Sequence, residues 1–231
     1  MDDALKNACV VACETLKPEL ELVMEAVGSK LPVYWVDSGQ HDHTDRLRES
    51  ICDELAGIPD EYGTVLLVFG FCGNAMVGVE PGARRLVMPK AADCIPLFLG
   101  SQKARDGYGT KRYFFTEGYL DAESNSASDY RALVEKYGEE KARMVTREML
   151  KHYEYLTVVD TGAFDVSGVK DGIAELSEVT GVPVDVISGN LRLLRMLVTG
   201  DWPREDFFVF EPGSSITLDD SLSIGGLSQV G

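Results

Sequence analysis

Val65-Leu66-Leu67-Val68-Phe69 runs straight into Gly70. Five apolar residues, β-branched and aromatic among them, ended by a glycine, read as a short buried strand. The run does not alternate polar with apolar residues, so both faces of the strand are expected to be covered, as in a parallel sheet. Similar runs lie at Ala8–Ala12 and Val33–Val36 on one side, and at Leu86–Met88, Tyr113–Thr116, Thr157–Val159, Val184–Ile187 and Phe207–Phe210 on the other. Between them come segments of helical period: Glu14–Ala26, Thr44–Ala56, a stretch from Asp93, and Asp129–Tyr155, divided near Gly138. About eight strands alternating with helices predict an α/β fold with a mostly parallel sheet flanked by helices, open to division into two Rossmann-like halves. The segment Gly100–Thr110 is the best boundary. It sets an N-terminal half at residues 1–105, a C-terminal half at 106–213, and a Ser-, Gly- and Asp-rich tail at 214–231 that is expected to be mobile.

The charge excludes some partners. Against 22 Lys and Arg stand 38 Asp and Glu, for a net charge of −16 over 231 residues. Nucleic acid and anionic membrane surfaces need a basic face and are not expected partners. The longest apolar stretch, Val65–Val79, is interrupted by glycines and Asn74 and is too broken for a spanning helix. Met1-Asp2-Asp3 has no basic leader, so the expected location is cytoplasmic. Five cysteines, Cys9, Cys13, Cys52, Cys72 and Cys94, all fall in the first 94 residues. An odd count without a leader argues against a disulfide framework.

Three of the cysteines share a context. Cys13 follows Ala8–Ala12 and opens a helix, Cys72 follows Val65–Phe69, and Cys94 follows Leu86–Met88. The carboxyl ends of parallel strands lie on one edge, where α/β proteins build their sites, so the three thiols are expected to meet. A helix N-terminus favours the thiolate, the form that attacks or binds metal. The alternative is that each is a small buried residue without chemistry. His41-Asp42-His43-Thr44-Asp45 follows Val33–Val36 on the same expected edge. Either histidine would complete a Cys3His set for zinc or an iron–sulfur cluster, while the plain reading is a polar loop capping a helix.

Other matches are weaker. The His41–Asp45 string resembles the metallo-β-lactamase motif, but Arg46 stands where that family has histidine, and the chain has only three histidines. Val158–Ala163 matches the aspartic-protease signature, but only once and on the wrong scaffold. There Asp160 and Thr161 read as a strand-end turn or as groups near the site. The chain has no dinucleotide, Walker or nucleophile-elbow motif. It also lacks the Asp-x-His-x-x-Gly pattern of many corrinoid proteins.

Several stretches together carry a family resemblance: Ala12-Cys13-Glu14 with Glu19-Leu20, His41 with Leu47, Gly70-Phe71-Cys72-Gly73-Asn74, Pro89 with Asp93-Cys94-Ile95 and Gly100-Ser101, Phe115-Thr116-Glu117-Gly118, Asp160-Thr161-Gly162, and Gly189–Leu194 running into Gly200-Asp201-Trp202. From about Ala12 to Gly213 the chain resembles an uncharacterised domain-of-unknown-function family of anaerobic bacteria and methanogenic archaea, whose members often accompany corrinoid-dependent methyltransferases. The resemblance implies that Cys13, His41, Cys72 and Cys94 are the motif members, with Cys9, Cys52, His43 and His152 as extras. The family's proline three residues after the histidine is replaced here by Thr44.

Two functions are therefore expected. In the first, Cys13, Cys72, Cys94 and His41 hold zinc or an iron–sulfur cluster in a catalytic component of methyl metabolism, with Glu14, Asn74, Asp93, Asp160 and Thr161 around the centre or its substrate. In the second, the chain is a non-catalytic accessory protein that binds a metal, a corrinoid or a partner methyltransferase.

Overall fold

The structure, a computed structural model, describes residues 5–37, 44–122 and 125–225. The first half holds β1 (Ala8–Cys13), a 3-10 turn (Glu14–Leu16), α1 (Lys17–Val27), β2 (Val33–Val36), α2 (Thr44–Gly57), β3 (Thr64–Val68), β4 (Arg85–Pro89), α3 (Ile95–Leu99) and α4 (Gln102–Gly107). The second holds β5 (Arg112–Phe115), α5 (Glu117–Asp121), α6 (Ser126–Tyr137), α7 (Glu139–Leu150), β6 (Tyr155–Asp160), α8 (Val166–Thr180), β7 (Val184–Ser188), α9 (Arg192–Thr199), β8 (Phe207–Phe210) and α10 (Leu218–Ser223). Among the described residues no helix is long and apolar enough to cross a membrane.

The strands form two sheets. One has the order β2-β1-β3-β4-β8, parallel except for β8, which runs antiparallel to β4. The other is the parallel trio β5-β6-β7. Every residue of β1 and β3 is buried, which is why their sequences are apolar without alternation. The α/β class with mostly parallel sheets is as expected, and all eight expected strands are present. The helical stretch Asp129–Tyr155 divides at Gly138, as expected, but β6 has already begun at Tyr155.

After β7 the chain returns to the first sheet: α9 buries Leu193, Leu194 and Leu197 in the first core, and β8 pairs with β4. Residues 213–225 also lie against the first sheet's side. Ile216 is buried and exchanges backbone hydrogen bonds with Gly78 and Val79, at 2.8 and 3.0 Å.

What positions the site is the meeting of the two parallel sheets at their carboxyl ends. Thr15, just past β1, lies so close to Gly118 on α5 that a Cβ there would sit 2.3 Å from the Thr15 carbonyl oxygen. Past β7, the Asn190 amide donates to the Phe98 carbonyl at 2.7 Å. At the end of β6, the Thr161 hydroxyl donates to Glu19 on α1. In an α/β sheet this edge is where ligands bind, and beside the first sheet's edge lies a cleft whose other wall is β5, α5 and the turn before β6.

One wall of the cleft depends on a single cap. The buried Asn125 accepts from the Ala127 and Ser128 amides and donates to the Leu120 and Ala122 carbonyls, all at 3.0 Å. It thereby ties the start of α6 to the end of α5. Replacing Asn125 with Ala removes the cap and strands two carbonyls, and is expected to cost about 2 kcal/mol. A chemical melt would show this as a lower midpoint at unchanged slope.

Candidate functional site

The three cysteines gather at the carboxyl edge of the first sheet. Cys13 is the last residue of β1, buried, with its Sγ 3.1 Å from the Thr15 hydroxyl oxygen. Cys94 stands immediately before α3, and Cys72 lies in the loop after β3. That loop is joined backbone to backbone with the one after β4. The Phe71 amide donates to the Ala91 carbonyl at 2.9 Å and the Cys72 amide to the Ala92 carbonyl at 3.0 Å. Gly70 permits the join, since a Cβ there would lie 2.2 Å from the Asp93 carbonyl oxygen.

The loop then takes three consecutive left-handed residues: Cys72, Gly73 and Asn74, with φ of 45°, 67° and 71°. Two of the three are not glycine, and such conformations persist only where the surroundings impose them. Here Arg48 donates to the Asn74 and Ala75 carbonyls, at 3.4 and 3.2 Å, and the Ser221 hydroxyl donates to Asn74 Oδ1 at 2.7 Å. Backbone strain of this kind recurs at ligand and active sites.

The thiols sense one another. Burial raises the pKa of Cys94, and the charges of Cys72, Asp93 and Cys13 raise it further. Cys72 is likewise pushed up by burial first, then by Cys13 and Asp93. Burial also raises Cys13, which its hydrogen bond to Thr15 only partly opposes. Burial therefore works against the thiolate at all three positions, and the five-residue α3 does not offset it at Cys94. Among the described residues, no group of three or more His, Cys, Asp or Glu side chains is arranged to grip an ion. His41 and His43 lie outside the described residues. Cys9, inside β1 and raised by burial to about 11, and the exposed Cys52 on α2 stand apart from the trio.

Cys94 opens onto the cleft, a partly open space of about 310 Å³. Asp93 lines it and accepts from the Ile95 amide at 2.9 Å. Burial raises the Asp93 pKa more than the nearby Arg105 lowers it. Arg105 also lines the cleft. Its Nη1 donates to the Gly109 carbonyl at 2.7 Å, and its guanidinium lies 4.9 Å over the Phe114 ring. The opposite wall is phenolic. The Tyr113 and Tyr119 hydroxyls are 2.7 Å apart, and the Tyr153 ring stands edge-on to Tyr113 at 5.0 Å. A second depression, about 600 Å³ and more open to solvent, carries Glu14, Glu21, Glu25, Glu117 and Asp121 around Lys17. It holds no thiol, so the smaller cleft, which Cys94 lines, is the better candidate for chemistry.

The other expected site residues separate. Asp93 is in the cleft, Asn74 belongs to the left-handed loop, and Glu14 faces the acidic depression. Asp160 is exposed and accepts from the Gly162 amide at 3.1 Å, which is the plain strand-end turn. Thr161 points to a group, Glu19, that sequence reasoning placed within a family stretch but gave no role. Glu19 is fully buried; its Oε1 accepts from the Thr161 hydroxyl at 3.0 Å, and its Oε2 has no partner among the described residues. Burial, aided by the charge of Glu117, raises its pKa to about 7. The available signal was position: Glu19 stands four residues before Val23, on the stripe that α1 buries. Arg105 and the tyrosines carried no such signal.

No curated protein matches the chain, and no solved structure does. One family model does, over residues 35–198, a span that includes Cys72, Cys94, Asp160 and Thr161 but begins after Cys13 and Glu19. Since that span is more than two thirds of the 231 residues, the chain belongs to the family described as proteins of unknown function, DUF1638.

Proposed function

We propose that this protein is a metal-binding component of anaerobic, corrinoid-dependent methyl metabolism, working in the cytoplasm, where thiols stay reduced. A zinc ion or an iron–sulfur cluster would be held by Cys13, Cys72 and Cys94, with His41 as the fourth ligand, beside a cleft that takes the substrate. The observation that carries this reading is the gathering of three thiols on one sheet edge, where Cys72 and Cys94 are each raised by the charge of the other cysteines near them. Soft thiolate donors suit these metals, and a bound cation supplies the charge that lets the thiols ionise. Ligation requires the trio to close up, and the left-handed Cys72 is the member with strain to release. The metal would supply Lewis acidity. Asp93, whose carboxyl burial keeps closer to neutral, would hold or deliver a proton at its carboxylate.

The test is metal and sulfide analysis of protein purified without oxygen. Wild type is expected to carry metal, Cys13→Ser, Cys72→Ser and Cys94→Ser to lose most of it, and Cys52→Ser to keep it. Equal metal in wild type and Cys72→Ser, or none in either, would overturn the reading.

A second reading is the non-catalytic accessory protein. It is favoured by the net charge of −16 and by the five carboxylates of the open depression, which suit a basic face on a corrinoid protein or methyltransferase. Colour separates the cases: a cluster is brown, zinc colourless and corrinoid red.

A further inference from the structure

We propose that the cleft binds a small organic acid, its carboxylate taken by Arg105 and its flat apolar body held among Phe98, Tyr113 and Tyr153. The inference deepens the reading of the cleft as the substrate site but does not depend on the metal.

Size comes first. At about 310 Å³ the space is at the low end of ligand pockets, which run from about 300 to 1,000 Å³. That admits one metabolite-sized molecule. The walls set the body of the ligand. Ile95 and Phe98 on α3, Tyr113 and Phe114 on β5, and Tyr153 before β6 offer aromatic and aliphatic surface, which suits a planar, largely apolar molecule.

Arg105 sets the charge. A guanidinium presents five donors in a fixed fork that matches a carboxylate. Here Nη1 is used by Gly109, while Nε is shielded from solvent and has no partner. Buried donors without acceptors are rare in folded proteins, and each one calls for an explanation. No carboxylate pairs with Arg105 among the described residues. Asp93 acts on it only through its charge. The other cationic side chain of the cleft, Arg112, is already engaged by Asp185 and by Thr157 Oγ1. An acid in the cleft would meet a guanidinium that no carboxylate pairs, whereas an amine would meet a cation.

Calorimetric titration of the metal-free full chain tests this with three probes of one shape: 4-hydroxybenzoate, 4-hydroxybenzamide and 4-hydroxybenzylamine. The acid is expected to bind at least about tenfold more tightly than the amide, and the amine not at all. Arg105→Gln is expected to weaken the acid about 10- to 100-fold, the range for a lost hydrogen bond to a charged group, and to leave the amide nearly unchanged. Equal affinity for acid and amide in wild type, no binding of any probe, or an Arg105→Gln protein that keeps full affinity would overturn the proposal. The wild-type comparison stands even if Arg105→Gln fails to fold. Titrating metal-free protein separates this inference from the metal centre. Loss of metal discrimination among the cysteine variants would defeat only the metal reading, and loss of acid discrimination in wild type only this one.

Discussion

Raising the pH from about 5 to about 8 is expected to weaken the fold by about 3 kcal/mol through one side chain, and Glu19→Gln is expected to remove most of that loss. Glu19 is fully buried and titrates near 7 in the folded chain, against an ordinary value of 4.5. The folded state therefore holds this proton more tightly than the unfolded state does. Stability from this group is complete below about 4.5, falls as the pH rises, and is fully lost above about 7. At about 1.4 kcal/mol per unit, the shift corresponds to the loss given above. The physical cause is desolvation. Once ionised, the carboxylate has the Thr161 hydroxyl for Oε1 and no partner for Oε2, with the charge of Glu117 opposing it. The bond joins α1 to the end of β6, so the cost of ionisation falls where the two sheets meet. Gln keeps an acceptor for Thr161 and cannot ionise. Urea melts at both pH values check the claim: the wild-type midpoint should fall with pH much more than that of the variant. Parallel decline in both would assign the effect to general repulsion among the chain's excess carboxylates.

Gly70→Ala is expected to cost at least about 3 kcal/mol and to reduce metal retention as well. The new Cβ would meet the carbonyl oxygen, carbonyl carbon and Cα of Asp93 at 2.2, 2.3 and 2.6 Å. All are backbone atoms, so no rotamer change relieves the clash. Either the loop after β3 or the loop after β4 must move, and inserted volume in a tight contact costs about 1–3 kcal/mol or more. The displaced parts carry Cys72 and Asp93-Cys94, so the same change separates two of the three thiols. A variant within about 1 kcal/mol of wild type would mean the two loops are not joined as described.

The strands were legible because burial on both faces leaves a mark in local composition: β1 and β3 admit nothing but apolar residues and Thr64. Which sheet each strand joins left no such mark. Phe207–Phe210 reads like any other apolar run, yet it crosses back to pair with β4 from the far end of the chain. The shared edge of the cysteines followed from parallel geometry alone, because strands of one direction end on one side. The cleft did not follow, since its second wall comes from β5 and its neighbours. The meeting of the two sheets rests on contacts such as Glu19 to Thr161, 142 residues apart, that no local pattern encodes. The left-handed turn was half legible: Gly73-Asn74 permits it, but nothing about a cysteine announces a positive φ at position 72.

X-ray absorption at the metal edge of anaerobically purified wild type tests the central claim most directly. The account predicts a first shell of at least three sulfur scatterers, at about 2.3 Å if the metal is zinc, which falls by one sulfur in any metal that Cys72→Ser retains. A first shell of nitrogen and oxygen alone, or a sulfur count unchanged in Cys72→Ser, would contradict it.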